Sequence, residues 1–207
     1  MYRIEILFIT IVLLSISCKE KSEKAIHKPH NPSENICQYI QDDEAERLYA
    51  KGQDYLEYGD YINAKKLLIE AANIEMSPII INELGLLEFN QKNYLEAIKF
   101  YKEARKIDST YWPTYTNEAI IHGILSEFDK GERLLAKLKK ECNTPYWIQF
   151  ADLLLGIFYF NQKQDCDKIY LQLEKAKGII LLDDVKRKHY YELKAKADFK
   201  CDSQDTQ

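Results

Sequence analysis

The chain has 207 residues, a net charge of −4, 30% charged side chains and 15 Tyr, but only 7 Gly and 5 Pro. So few backbone breakers exclude a turn-rich sheet protein and favour long amphipathic helices. An acidic balance without a basic stripe excludes a nucleic-acid surface. Lys186-Arg187-Lys188, set among acidic neighbours, reads as a solvated helix face.

Residues 1–17 read as a signal peptide. Arg3 supplies a positive charge, and an apolar run follows from Ile6 to Ile16. That run is too short for a bilayer span of about 20 residues and suits a secretory core of about 7–15. Glu5 near its start is atypical. Next comes Leu14-Ser15-Ile16-Ser17-Cys18-Lys19. It resembles the lipobox of bacterial lipoproteins, with Ser17 as the small residue and Cys18 as the acceptor of diacylglycerol. Ser15 stands where that family usually has Leu. The alternative is an ordinary signal peptide with a chance cysteine. The resemblance implies a chain that begins at Cys18 and carries acyl groups such as palmitate. It also implies an anchor in the bacterial envelope, and Lys19 in place of aspartate implies the outer membrane. Each buried methylene contributes about 0.8 kcal/mol, so several acyl chains hold where one would not. Residues 18–37 then form the lipidated N-terminus and a polar tether, too poor in apolar side chains to fold alone. His27 and His30 lie in it without further ligands nearby, so no metal site is expected.

From residue 38 a fixed step governs the chain. Gly52, Tyr61, Ala64 and Ala71 return 33 residues later as Gly85, Tyr94, Ala97 and Ala104; Ala119, Phe128 and Gly131 continue the pattern. Small residues and aromatics at such a step signal stacked helical hairpins, each burying its apolar face only against its neighbours. The glycines and Ala119 fall where the first helix of each hairpin crosses the second. Larger side chains there would hold the axes beyond the 8–10 Å of close packing. Pro78, Pro113 and Pro145 each fall in the first turn of a first helix, where a missing N–H costs nothing.

The pattern resembles the tetratricopeptide repeat (TPR), strongly from Asp42 to Cys142 and weakly to about Gly178. The resemblance implies an all-α, right-handed TPR-like superhelix, a solenoid of about four helix-turn-helix pairs plus a C-terminal capping helix. It spans 38–200, and 201–207 is a frayed tail. The fourth pair is degenerate. Trp147 to Asn161 makes a fair first helix, but the second helix, starting near Gln164–Asp167, lacks the usual aromatic. Asp183 or Asp184 caps the last helix, which runs to about Phe199.

An exported chain permits disulfides. In an antiparallel stack Cys142 ends a second helix at one edge, whereas Cys166 and Cys201 both lie at the other. The expectation is a Cys166–Cys201 disulfide pinning the capping helix, against the alternative of four free thiols. Cys37 and Cys142 are expected as single thiols.

In the TPR fold the first helices line the concave face. The resemblance therefore places Tyr49, Gln53, Leu56, Asn82, Leu86, Phe89, Asn90, Thr116, Ile120, Ile124, Leu153, Ile157, Phe160 and Asn161 along a groove. The clamp of lysine, arginine and asparagine that grips peptide carboxylates in some TPR domains is absent. Tyr49, Gln53, Pro113 and Asn117 stand at those places. A mostly apolar groove suits an apolar helix or extended segment; the alternative is that these residues pack against the next turn or the capping helix.

No Gly-rich phosphate loop, zinc-helix motif or nucleophile elbow occurs in the sequence. His122 and His189 are isolated, and helix capping explains Asp42-Asp43 and Asp183-Asp184. The reading is a non-catalytic interaction scaffold without cofactor, metal, nucleic acid or small-molecule substrate, whose partners are a protein or peptide and the membrane. The alternative is a structural subunit of an envelope transport, secretion or assembly machine that uses the convex face.

Overall fold

The computed structural model describes residues 40–202. The expected signal peptide, Cys18, Cys37, the tether and residues 203–207 lie outside them. Every regular element among the described residues is helical. The chain divides into two compact units within one helix, after Glu118.

The first unit holds α1 (Asp43–Glu57), α2 (Tyr61–Ile74), α3 (Pro78–Asn90), α4 (Tyr94–Ile107) and the start of α5 (Pro113–Ile124). Asp42 caps α1 by accepting from the amides of Glu44 and Ala45, and Asp60 caps α2 through the Asn63 amide. The prolines fill the first positions of α3 and α5. α1 packs on α2, and α3 on α4. A Cβ on Gly52 would lie 3.0 Å from Leu68 Cγ, and one on Gly85 would lie 2.5 Å from a Tyr101 ring carbon. These glycines are the crossing points of each hairpin. Ala64, Leu68, Ala71, Ala97, Tyr101 and Ala104 answer them from the second helices, all fully buried.

The second unit contains the end of α5, then α6 (Phe128–Glu141), α7 (Pro145–Asn161), α8 (Cys166–Ala176), a 3-10 turn (Lys177–Leu181) and α9 (Asp184–Asp202). The carbonyl of Ala119 lies 3.2 Å from a Cβ built on Gly131, so the small-residue crossing recurs here. Phe128 meets Phe158 edge-on at 5.5 Å. The 3-10 turn has no counterpart in the sequence reading, and α9 extends past Phe199 through Asp202. Asp183 caps α9 by accepting from the amides of Val185 and Lys186. Its carboxylate also takes a hydrogen bond from Tyr146 at 2.9 Å. Burial alone would raise the Asp183 carboxyl; the Lys186 ammonium and amide together hold it below its usual range. Cys166 and Cys201 form a disulfide with a Cα separation of 6.0 Å, joining the start of α8 to the end of α9. Cys142 is a buried free thiol.

The first-to-second-helix turns share one geometry. Gly59, Lys92, Ser126 and Lys163 each take a positive φ, at 77°, 65°, 59° and 56°. In each, the following amide reaches back five residues: Asp60 to Tyr55, Asn93 to Glu88, Glu127 to His122 and Gln164 to Tyr159. This is the Schellman cap, which satisfies carbonyls at the helix end. Only the first turn uses the residue that adopts a positive φ without steric cost.

Candidate partner-binding face

The helices that begin with a proline (α3, α5 and α7), together with α1, carry the residues expected to line a groove. In the first unit Tyr49, Gln53, Asn82, Phe89 and Thr116 are buried, and Leu56 with them. Leu86 and Asn90 are half-buried. In the second unit Ile120, Leu153 and Ile157 are buried, whereas Ile124, Phe160 and Asn161 keep partial exposure. The accessible positions are thus Leu86, Asn90, Ile124, Phe160 and Asn161. Leu86 and Asn90 lie toward the C-terminal end of α3 in the first unit, and Ile124, Phe160 and Asn161 at the ends of α5 and α7 in the second, each beside a Schellman turn.

Several buried members already have partners. Gln53 Nε2 donates to the Tyr49 hydroxyl at 2.8 Å, Asn117 donates to Asn82 Oδ1 at 3.0 Å, and Thr116 Oγ1 donates to the Pro113 carbonyl. Phe89 packs on Tyr94, with ring centroids 5.7 Å apart. In the second unit the Lys200 ammonium lies 5.5 Å from the centre of the Phe160 ring. Lys200 also donates to the Gln164 carbonyl, so α9 reaches back over the end of α7.

A polar cluster that the sequence reading passed over lies inside the first unit. Glu83, on α3, is 4% exposed. Burial pushes its carboxyl up to about 8, against hydrogen bonds from Gln53 and Tyr49 that favour the anion. Gln53 Oε1, Glu83 Oε2 and the Tyr101 hydroxyl have no hydrogen-bond partner among the described residues. Unsatisfied buried acceptors are costly in a dry interior, and protonation of Glu83 lowers that cost by removing its charge. Burial, then the Glu83 charge, raises both Tyr49 and Tyr101 well above the phenol range, so both stay neutral. The signal lay in the sequence: Ile79-Ile80-Ile81-Asn82-Glu83-Leu84 is apolar all round apart from one amide and one acid, and a helix of that kind is buried.

Ion pairs knit successive hairpins with the period of the repeat. Arg105, at the end of α4, pairs with buried Glu118 on α5, and its guanidinium lies 4.8 Å from the centre of the Tyr115 ring. Thirty-four residues on, Lys139 at the end of α6 pairs with buried Asp152 on α7. A second recurring contact closes the turns. Asn93 Nδ2 donates to Glu88 Oε2 at 2.8 Å, and His122 Nδ1 meets Glu127 Oε2 at 2.7 Å, with the acid now on the other side. His122 is therefore part of a turn. Near it, Ser126, Glu127, Phe128, Lys130, Arg133 and Gln162 help line an open cavity of about 340 Å³. No cluster of His, Cys, Asp or Glu with metal-binding potential occurs among the described residues.

No family model matches the chain, and no curated protein sequence is similar to it. Among solved structures it is similar to one titled "MamA RS-1 ArsTM double mutant", a TPR-containing protein. The TM-score is 0.54 at 18% identity, over 80% of this chain and 99% of that one. The chain has an all-α, TPR-like helical-repeat fold.

Proposed function

We propose that this chain is a non-catalytic scaffold of the bacterial envelope, held by a lipid on Cys18 and binding a protein or peptide through the ends of its proline-started helices. The supporting observation is where exposure survives. In the first unit Leu86 stands with Asn90, and in the second Phe160 stands with Asn161, so each unit by itself sets an apolar anchor near an amide that can bond a partner's backbone. Anchors flanked by amides suit a helix or an extended segment. The fully buried members of the expected groove, Ile120 and Ile157 among them, serve the fold. Cys18 and the outer-membrane location rest on the lipobox resemblance alone.

A second reading has its own observation. Tyr58, Ile62 and Leu95 are 86%, 84% and 74% exposed, and Ile62 and Leu95 hold equivalent places in successive hairpins. A structural subunit of an envelope machine would use that outer edge. Purification from native membranes separates the two. Loss of the co-purifying protein in Asn90→Arg or Asn161→Arg supports the first reading. Loss only in Ile62→Asp or Leu95→Asp supports the second, and retention in all four variants refutes both.

A further inference from the structure

The edge of the first unit from which the N-terminal segment departs carries an apolar rim. Residues 40–42 enter there, fixed by the Glu75 carboxylate, which accepts from the amides of Gln41 at 2.8 Å and Asp42 at 2.7 Å. Glu75 is flanked in sequence by Ile74 and Met76, 47% and 65% exposed. The next hairpin presents Ile107, 42% exposed, at the place equivalent to Ile74. The loop that follows it presents half-buried Trp112. Aliphatic tips beside a tryptophan are the composition found where protein meets the headgroup region of a bilayer.

The carboxylates of this rim accept hydrogen bonds from nearby backbone amides. Asp42 is spent on the amides of Glu44 and Ala45, and Glu75 on those of Gln41 and Asp42. Asp108 accepts from the amide and hydroxyl of Thr110. Three carboxylates thus have part of their charge met by backbone donors, although Asp42, Asp43 and Glu44 remain exposed.

We infer that this rim (Ile74, Met76, Ile107 and Trp112) rests on the lipid bilayer, so that the first unit stands on the membrane by one edge. The inference deepens the anchored reading and depends on Cys18 being lipidated. In the sequence the polar segment 19–39 separates that cysteine from the described residues, and a chain of that length reaches at most ~75 Å even fully extended. At that tether length the effective concentration of lipid surface at the rim is high, and contacts too weak to recruit a free protein become populated. The rim at the opposite edge, with Tyr58, Ile62 and Leu95, is then directed away from the membrane and left open to a partner.

The test uses full-length protein extracted from native membranes and reconstituted in phosphatidylcholine vesicles bearing bromines on the acyl chains near the headgroup. The Trp147→Phe form leaves Trp112 as the reporting tryptophan, since the chain has only 2 Trp. Expected are flotation with the vesicles and loss of Trp112 emission relative to unbrominated lipid. Met76→Asp should relieve the quenching without releasing the protein, and Ile62→Asp on the far edge should not. Flotation with Trp112 unquenched, or equal relief by both substitutions, overturns the rim contact and leaves the anchor standing. Protein that stays out of the floated fraction, as a Cys18→Ser form should, overturns the anchor and the rim together.

Discussion

Glu83 is the residue whose replacement says most about how the first unit is held together. Its carboxyl sits at about 8 in the fold, against an ordinary 4.5. A raised value means that its contribution to stability is complete below about 4.5 and is lost as pH climbs toward 8. Each unit of pH in that window is worth about 1.4 kcal/mol, so by pH 7 the ceiling on the loss is about 3 kcal/mol. Glu83→Gln keeps the shape and stays neutral throughout. It should therefore be less sensitive to pH and more stable than wild type at pH 7, by about 1–3 kcal/mol once imperfect pairing of the new amide is allowed for. The assay is urea unfolding between pH 5 and 8, followed by Trp112 emission in the Trp147→Phe background so that the first unit is read alone. The difference between variant and wild type should widen steadily as pH rises. A difference that does not change with pH, or a variant weaker than wild type at every pH, would show that Glu83 is ionised in the fold and refute the reasoning.

Other substitutions read the packing directly. Gly85→Ala drives a methyl into the Tyr101 ring and should cost about 1–3 kcal/mol in urea unfolding, whereas Gly52→Ala comes no nearer than 3.0 Å to Leu68 and should cost less; equal losses would contradict the crossing-point account. Lys92→Gly and Ser126→Gly should each stabilise by about 0.5–1 kcal/mol, because both residues hold a positive φ that costs a side chain about 1–2 kcal/mol. Cys201→Ser should weaken the second unit by about 3–4 kcal/mol, since the disulfide closes a separation of 35 residues. Trp147 emission should report that loss, while the transition read from Trp112 stays in place.

The sequence step made the hairpins legible because close helix crossings admit few residue types. Gly52 and Gly85 have no space for a side chain, and a proline suits only the first turn of a helix, so both leave a periodic mark. The Schellman turns left a weaker mark. Backbone hydrogen bonds hold them, and those tolerate lysine or serine where Gly59 stands first. Accessibility along α1, α3, α5 and α7 was not legible: most of the residues expected to line a groove are buried. Periodicity says nothing about what covers Tyr49 or Ile157, both buried. Glu83 escaped notice because an acid in a helix is ordinarily a solvent-facing residue. The recurring pair Arg105–Glu118 and Lys139–Asp152 was also legible, as a base and an acid 13 apart repeated after 34 residues, but charges at such spacing read by default as solvated faces.

The central claim is that a partner seats at the ends of the proline-started helices. Site-specific photo-crosslinking from position 90, with position 62 as the matched site on the outer edge, tests it most directly in intact envelopes. The account predicts one discrete protein adduct from position 90 that disappears when Leu86→Glu is added. Adducts from position 62 alone, or none from either position, would contradict it.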